Sequence, residues 1–181
     1  MRAISVTEFA TMSAAKLRLT EAQYLFEQFK AVRNAEPNHG LFLLTVYFDS
    51  LLFCLISIEE MVDTATKSTL RQIDSFRFFK ALRNITSHHS VLSGIHGKFD
   101  RPISRNISVH MGGQAEFSEQ FFLLPDKLRT IFDSVEKERQ REKPNLDAAR
   151  VYLSTLETSG KQIMLVDLVE NAIADIERHI V

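Results

Sequence analysis

The chain has 181 residues, 45% of them apolar and 25% charged, with a net charge of −1. That length suits one domain with a real core, and the composition is ordinary for a soluble globular protein. A single cysteine, Cys54, excludes an internal disulfide framework and fits a reducing compartment, so a cytoplasmic location is expected.

The first 21 residues lack an apolar run long enough for a signal peptide. Ala22, Leu25, Phe26, Phe29 and Val32 then recur at helical spacing, which predicts a first helix over about 13–35. Pro37, Asn38 and Gly40 break it. A second helix is expected over about 40–66, carrying Leu44, Phe48, Leu51, Leu52, Leu55, Ile58 and Val62. Its 18-residue stretch Leu41–Ile58 is apolar enough to suggest a membrane span. Asp49 and Ser50 sit at the centre of that stretch, where an acid is costly in hydrocarbon, and no basic flank follows. The stretch therefore reads as a buried central helix, with Cys54 an inert core thiol and no membrane partner.

A third helical stretch is expected over about 69–93, with a kink near Asp74–Ser75. The period then changes from 3.6 to 2. Ile103, Arg105, Ile107, Val109 and Met111 alternate with polar residues, and a second alternating run ends at Leu123. This predicts a β-hairpin over about 103–123. A three-residue loop, Gly112–Gln114, pairs Val109 with Phe117 and Met111 with Ala115, so that apolar faces apolar; a two-residue Gly-Gly loop would not. Helices are expected over about 125–142, from Pro144 to about 158, and over about 161–180, with Gly160 ending the middle one. Leu165, Leu168, Val169, Ala172, Ile173 and Ile176 form one stripe of the last helix. The run KERQREK (137–143) reads as a solvated helix end. The fold class is all-α, a single-domain helical bundle with one inserted hairpin and a helical C-terminal extension over about 125–181.

Charge is unevenly spread. Lys67–Arg105 holds eight Lys/Arg against two acids, a charge of +6, and the remaining 14 basic and 21 acidic residues give −7. Such a segment fits a polyanion site; it also fits basic residues packed against acidic helices. Within it lies Arg83-Asn84-Ile85-Thr86-Ser87-His88, followed by His89. On an ideal helix Phe78, Leu82, Ile85, His89 and Leu92 make the apolar stripe, so His89 reads as a core or interface histidine. Arg77, Asn84 and His88 lie on one line at the edge of that stripe. Arg83 and His88 diverge by about 140° on a straight helix. A bent helix, the reach of the arginine, or a second copy of the helix across a twofold axis would bring them together.

The pattern R-N-x-x-x-H, together with FRFFKAL and the long apolar helices before it, resembles the signature of the HEPN superfamily of all-helical domains. That family's pattern is Arg, four to six residues, then His, with a polar residue such as Asn after the Arg. The resemblance covers about residues 15–95 plus a later helix; the hairpin and C-terminal tail lie outside the common pattern. It implies an up-and-down bundle, a homodimer whose motif helices meet, and a metal-independent endoribonuclease of toxin or defence type. It also implies RNA as partner, an antitoxin or regulatory protein as a further one, no cofactor, and Arg83, Asn84 and His88 as catalytic residues. Arg77, Lys80, His89, Arg101 and Arg105 are secondary candidates for RNA contact. The alternative is a non-catalytic RNA-binding or regulatory module of the same family.

The residue types suit the chemistry. A histidine can take the 2′-hydroxyl proton near neutral pH, an arginine can stabilise charge on the phosphorane, and an asparagine can orient them. Other chemistries lack their residues. There is no Cys-x-x-Cys, His-Glu-x-x-His, phosphate loop or Gly-x-Ser-x-Gly, and the one Glu-x-x-His, Glu36–His39, contains Pro37. Glu59 and Glu60 on the second helix could reach the site, but an acid pair at a helix end is expected to be solvated.

Overall fold

A computed structural model describes residues 6–33, 41–86, 102–112 and 114–180. Helices dominate, as the periodicity predicts. In chain order they are α1 (Val6–Thr11), α2 (Ala14–Arg33), α3 (Leu41–Ser57), α4 (Thr64–Leu70) and α5 (Asp74–Thr86). The hairpin strands β1 (Ile103–Gly112) and β2 (Gln114–Leu123) follow, then α6 (Pro125–Glu138), α7 (Lys143–Glu157) and α8 (Leu165–Ile180). The short α1 was not evident in the sequence.

The core forms where the helical stripes meet. Leu19, Ala22, Phe26 and Phe29 of α2 and Leu44, Phe48, Leu51, Leu52 and Leu55 of α3 are buried. Phe78, Leu82 and Ile85 of α5 are buried as expected, and Phe76, Phe79 and Ala81 join them, so α5 buries more than one stripe. All six residues of the α8 stripe are buried. α5 packs against α3, α7 and α8, which puts it at the centre of the assembly.

Two predicted helices are broken. The expected 40–66 helix ends at Ser57, passes through a 3-10 turn at Ile58–Glu60, and restarts at Thr64. The apolar period runs on to Val62, but Asp63 caps the new helix: its carboxylate accepts from the amides of Ala65 and Thr66 at 2.9 and 3.0 Å. That bond set caps the start of α4. The expected 69–93 helix is likewise divided, with α4 ending at Leu70 and α5 starting at Asp74, where the kink was expected. Residues 87–93 lie outside those described. At the other end, α6 stops at Glu138, and a 3-10 turn at Gln140–Glu142 leads into α7.

α3 departs from the expected central helix in another way. Its inner side is buried, but Phe42 is 77% exposed and Phe53 51%, with Leu43 and Val46 also exposed. Phe42, Val46 and Phe53 share an outer stripe of the helix, with Leu43 beside it. The segment Phe42–Glu60 is long and apolar enough to cross a membrane, and half of it is buried within the protein.

The hairpin has the predicted register: Val109 faces Phe117, Met111 faces Ala115, and Gly112 faces Gln114. Its base is fixed to the bundle. The Leu123 amide donates to the Ile163 carbonyl at 2.9 Å, and the Phe121 ring lies 5.7 Å from Phe29. Residues just after Gly160 therefore pair with the hairpin instead of starting the last helix, which begins at Leu165. Gly160 itself takes φ +64°, the conformation that closes a helix most cheaply without a Cβ.

Candidate functional site

The last turn of α5 carries Arg83 and Asn84. The Thr86 hydroxyl donates back to the Arg83 carbonyl at 2.9 Å, and the arginine favours the negative end of the helix dipole. Its guanidinium lies over the ring of Phe53 from α3, 5.9 Å from the centroid, and its Nη1 donates to Asn84 Oδ1 at 3.3 Å. Asn84 Nδ2 in turn donates to Glu142 Oε2 at 2.6 Å. The arrangement is a chain of cation, amide and carboxylate beside a half-exposed aromatic ring. It can present a fixed guanidinium to an anion while the opposing carboxylate stays one residue away.

Arg77, seven residues before Asn84 and so on the same line of the helix, donates from Nη2 to the Pro144 carbonyl at 3.2 Å. That line therefore faces the first turn of α7. Lys80 turns elsewhere and pairs with Glu59, so its charge is met inside the protein. Arg105 sits on β1 opposite Phe121. His88, His89 and Arg101 lie outside the described residues.

Glu59 corrects the expectation of a solvated acid pair. It is 2% exposed and holds both Lys80 and Arg71, while Glu60 stays exposed beside Lys67 at 2.8 Å. Burial pushes the Glu59 carboxyl up, but the bonds from Lys80 and Arg71 outweigh it and leave the pKa below the usual carboxylate value. Three cations of the +6 segment are thus balanced by acids of the α3–α4 junction. Cys54 is a buried thiol, and burial raises its pKa, which suits an inert core residue.

Sequence reasoning missed two members of the cluster. Phe53 was one of many apolar residues in the second helix, and nothing marked it as outward-facing. Glu142 lay in the KERQREK run, which is solvated for the most part, yet its side chain is only 15% exposed. No spacing rule links position 142 to position 84.

Elsewhere, a groove of about 330 Å³ between α2 and α8 is lined by Phe26, Lys30, Glu170, Ile173 and neighbouring residues, away from the motif. Among the described residues no group of three or more His, Cys, Asp or Glu could hold a metal ion. No family model, no curated protein and no solved structure matches the chain.

Proposed function

We propose that the chain is a metal-independent endoribonuclease of the HEPN type, with a toxin or defence role in the cytoplasm. The observation that carries the reading is the motif pair Arg83–Asn84 at the end of α5, with the guanidinium held between the Phe53 ring and the Asn84 amide. His88, one turn after Asn84 in the sequence, supplies the base. It takes the 2′-hydroxyl proton; O2′ attacks phosphorus; the bond from phosphorus to O5′ breaks. Arg83 stabilises the charge that builds on the phosphorane oxygens. The products are a 2′,3′-cyclic phosphate and a 5′-hydroxyl, the latter protonated by His88 of a second copy in a twofold dimer.

A non-catalytic RNA-binding or regulatory module is the second reading. It draws on the internal pairing of Lys67, Arg71 and Lys80, which leaves less positive charge for RNA. Cleavage of a labelled single-stranded RNA in excess EDTA, with product ends identified by mass, separates the two. The nuclease reading expects cyclic phosphate ends with no added metal; activity that needs a divalent ion overturns it. Light scattering of the same sample at micromolar concentration should give twice the chain mass, and a strict monomer would remove the twofold site.

A further inference from the structure

We infer that Glu142 is a positioning residue for the motif: it fixes the Asn84 amide, and through it the direction in which Arg83 points. The inference rests on the endoribonuclease reading above and adds to it a residue from outside the motif helix.

The geometry leaves one orientation for the amide. A guanidinium only donates hydrogen bonds, and a carboxylate only accepts them. With Arg83 Nη1 3.3 Å from one end of the Asn84 side chain and Glu142 Oε2 2.6 Å from the other, the oxygen must face Arg83 and the nitrogen must face Glu142. In the flipped form the NH₂ group would face the guanidinium and repel it, and the oxygen would face the Glu142 carboxylate, so both partners select the same orientation and Glu142 adds the shorter bond. Both bonds are charge-assisted, and the one to Glu142 is much the shorter, so Asn84 is anchored from the Glu142 side and Arg83 rests on it.

Glu142 is itself held. It sits at the end of the 3-10 turn Gln140–Glu142, and its other oxygen meets Arg141 Nε at 3.5 Å. The chain meets α5 a second time two residues later, at the start of α7, where Arg77 donates to the Pro144 carbonyl. Arg77 and Asn84 are seven residues apart, about 10 Å along the helix. Two attachments at that separation resist rotation of α5 about its axis, so the azimuth of the motif is fixed as well as the amide. On its other side the guanidinium meets the Phe53 ring. A carboxylate placed directly against Arg83 would compete with a phosphate for it. Relayed through the amide, the carboxylate orients the guanidinium without occupying it.

The test uses the full chain and a labelled single-stranded RNA of mixed sequence. Glu142→Leu removes the acceptor, Glu142→Gln keeps a neutral one, and Lys143→Met loosens the junction with α7, through the bonds of Lys143 to Glu136 and Asp147, without touching Asn84. We expect kcat to fall about 10- to 100-fold in Glu142→Leu with KM nearly unchanged, as for a displaced catalytic group. Glu142→Gln should recover most of the loss, and Lys143→Met should keep the parental kcat. The Asn84 side-chain amide signals, read by NMR, should shift in Glu142→Leu. Parental kcat in a folded Glu142→Leu overturns the inference, as does an equal loss in Lys143→Met, which would mean that only the junction matters. A parent that cuts no RNA overturns the nuclease reading instead. The amide signals then decide alone, and if they are the same in parent and Glu142→Leu, Glu142 does not hold Asn84.

Discussion

Asp49 shows how one misplaced charge sets a pH dependence. It lies on the outer stripe of α3, one turn from both Val46 and Phe53, and among the described residues its Oδ1 is buried without a hydrogen-bond partner. Burial raises its pKa to about 6. An unfolded aspartate titrates near 4, so between about pH 4 and pH 6 the folded chain binds a proton that the unfolded chain lacks. Stability therefore falls as pH rises through that window, and the cost is complete above it. A rise of that size corresponds to about 3 kcal/mol unscreened, which partial exposure reduces to about 1 kcal/mol. Asp49→Asn should be more stable than the parent by about 1 kcal/mol at pH 7.5, and the difference should vanish near pH 4. Urea denaturation at the two pH values checks this; an equal difference at both would show that charge is not the cause.

At the scale of elements, the junction between α3 and α5 depends on Glu59. Its carboxylate joins Arg71 after α4 to Lys80 in the middle of α5. Among the described residues Glu59→Gln leaves Lys80 with no counterion, and it should cost about 2–3 kcal/mol, less than for a fully buried pair because Arg71 stays half exposed. The folded pKa of Glu59 is depressed, so this advantage of the parent is present above the unfolded carboxylate value and is lost as pH falls through the folded one. Thermal melts at pH 7 and pH 3 test it, and a Glu59→Gln melt that matches the parent at pH 7 would contradict it. The same junction marks where the sequence stopped being readable. The α8 stripe and the hairpin register were legible because each follows from one period and one set of facing pairs. The break after Ser57 was not, because the apolar spacing continues to Val62 and neither Gly nor Pro interrupts it. An aspartate cap and an inward-turned glutamate do the work of a breaker, and both look like ordinary surface acids in the sequence.

At the scale of the whole molecule, the positive segment is less of a surface than its sequence suggests, since Lys67, Arg71 and Lys80 meet Glu60 and Glu59. What stays at the end of α5 is Arg83 beside Phe53, tied through Asn84 to a turn almost 60 residues later. The motif half of that cluster was legible because it is contiguous; Phe53 and Glu142 were not, because only the packing of α5 against α3 and α7 brings them in. In the proposed site Arg83 and His88 cleave RNA and His89 does not. Periodicity puts His88 beside Asn84 and His89 in line with Phe78, Leu82 and Ile85. Removing a general base costs about 10²–10⁴ in rate and removing a charge-stabilising donor about 10²–10³. The most direct measurement is the cleavage rate of one labelled RNA by the parent, His88→Ala, Arg83→Ala and His89→Ala, each with its melting curve. His88→Ala and Arg83→Ala should lose cleavage while keeping the parental melting temperature, and His89→Ala should melt lower but still cut. A His88→Ala variant that cuts as fast as the parent would contradict this.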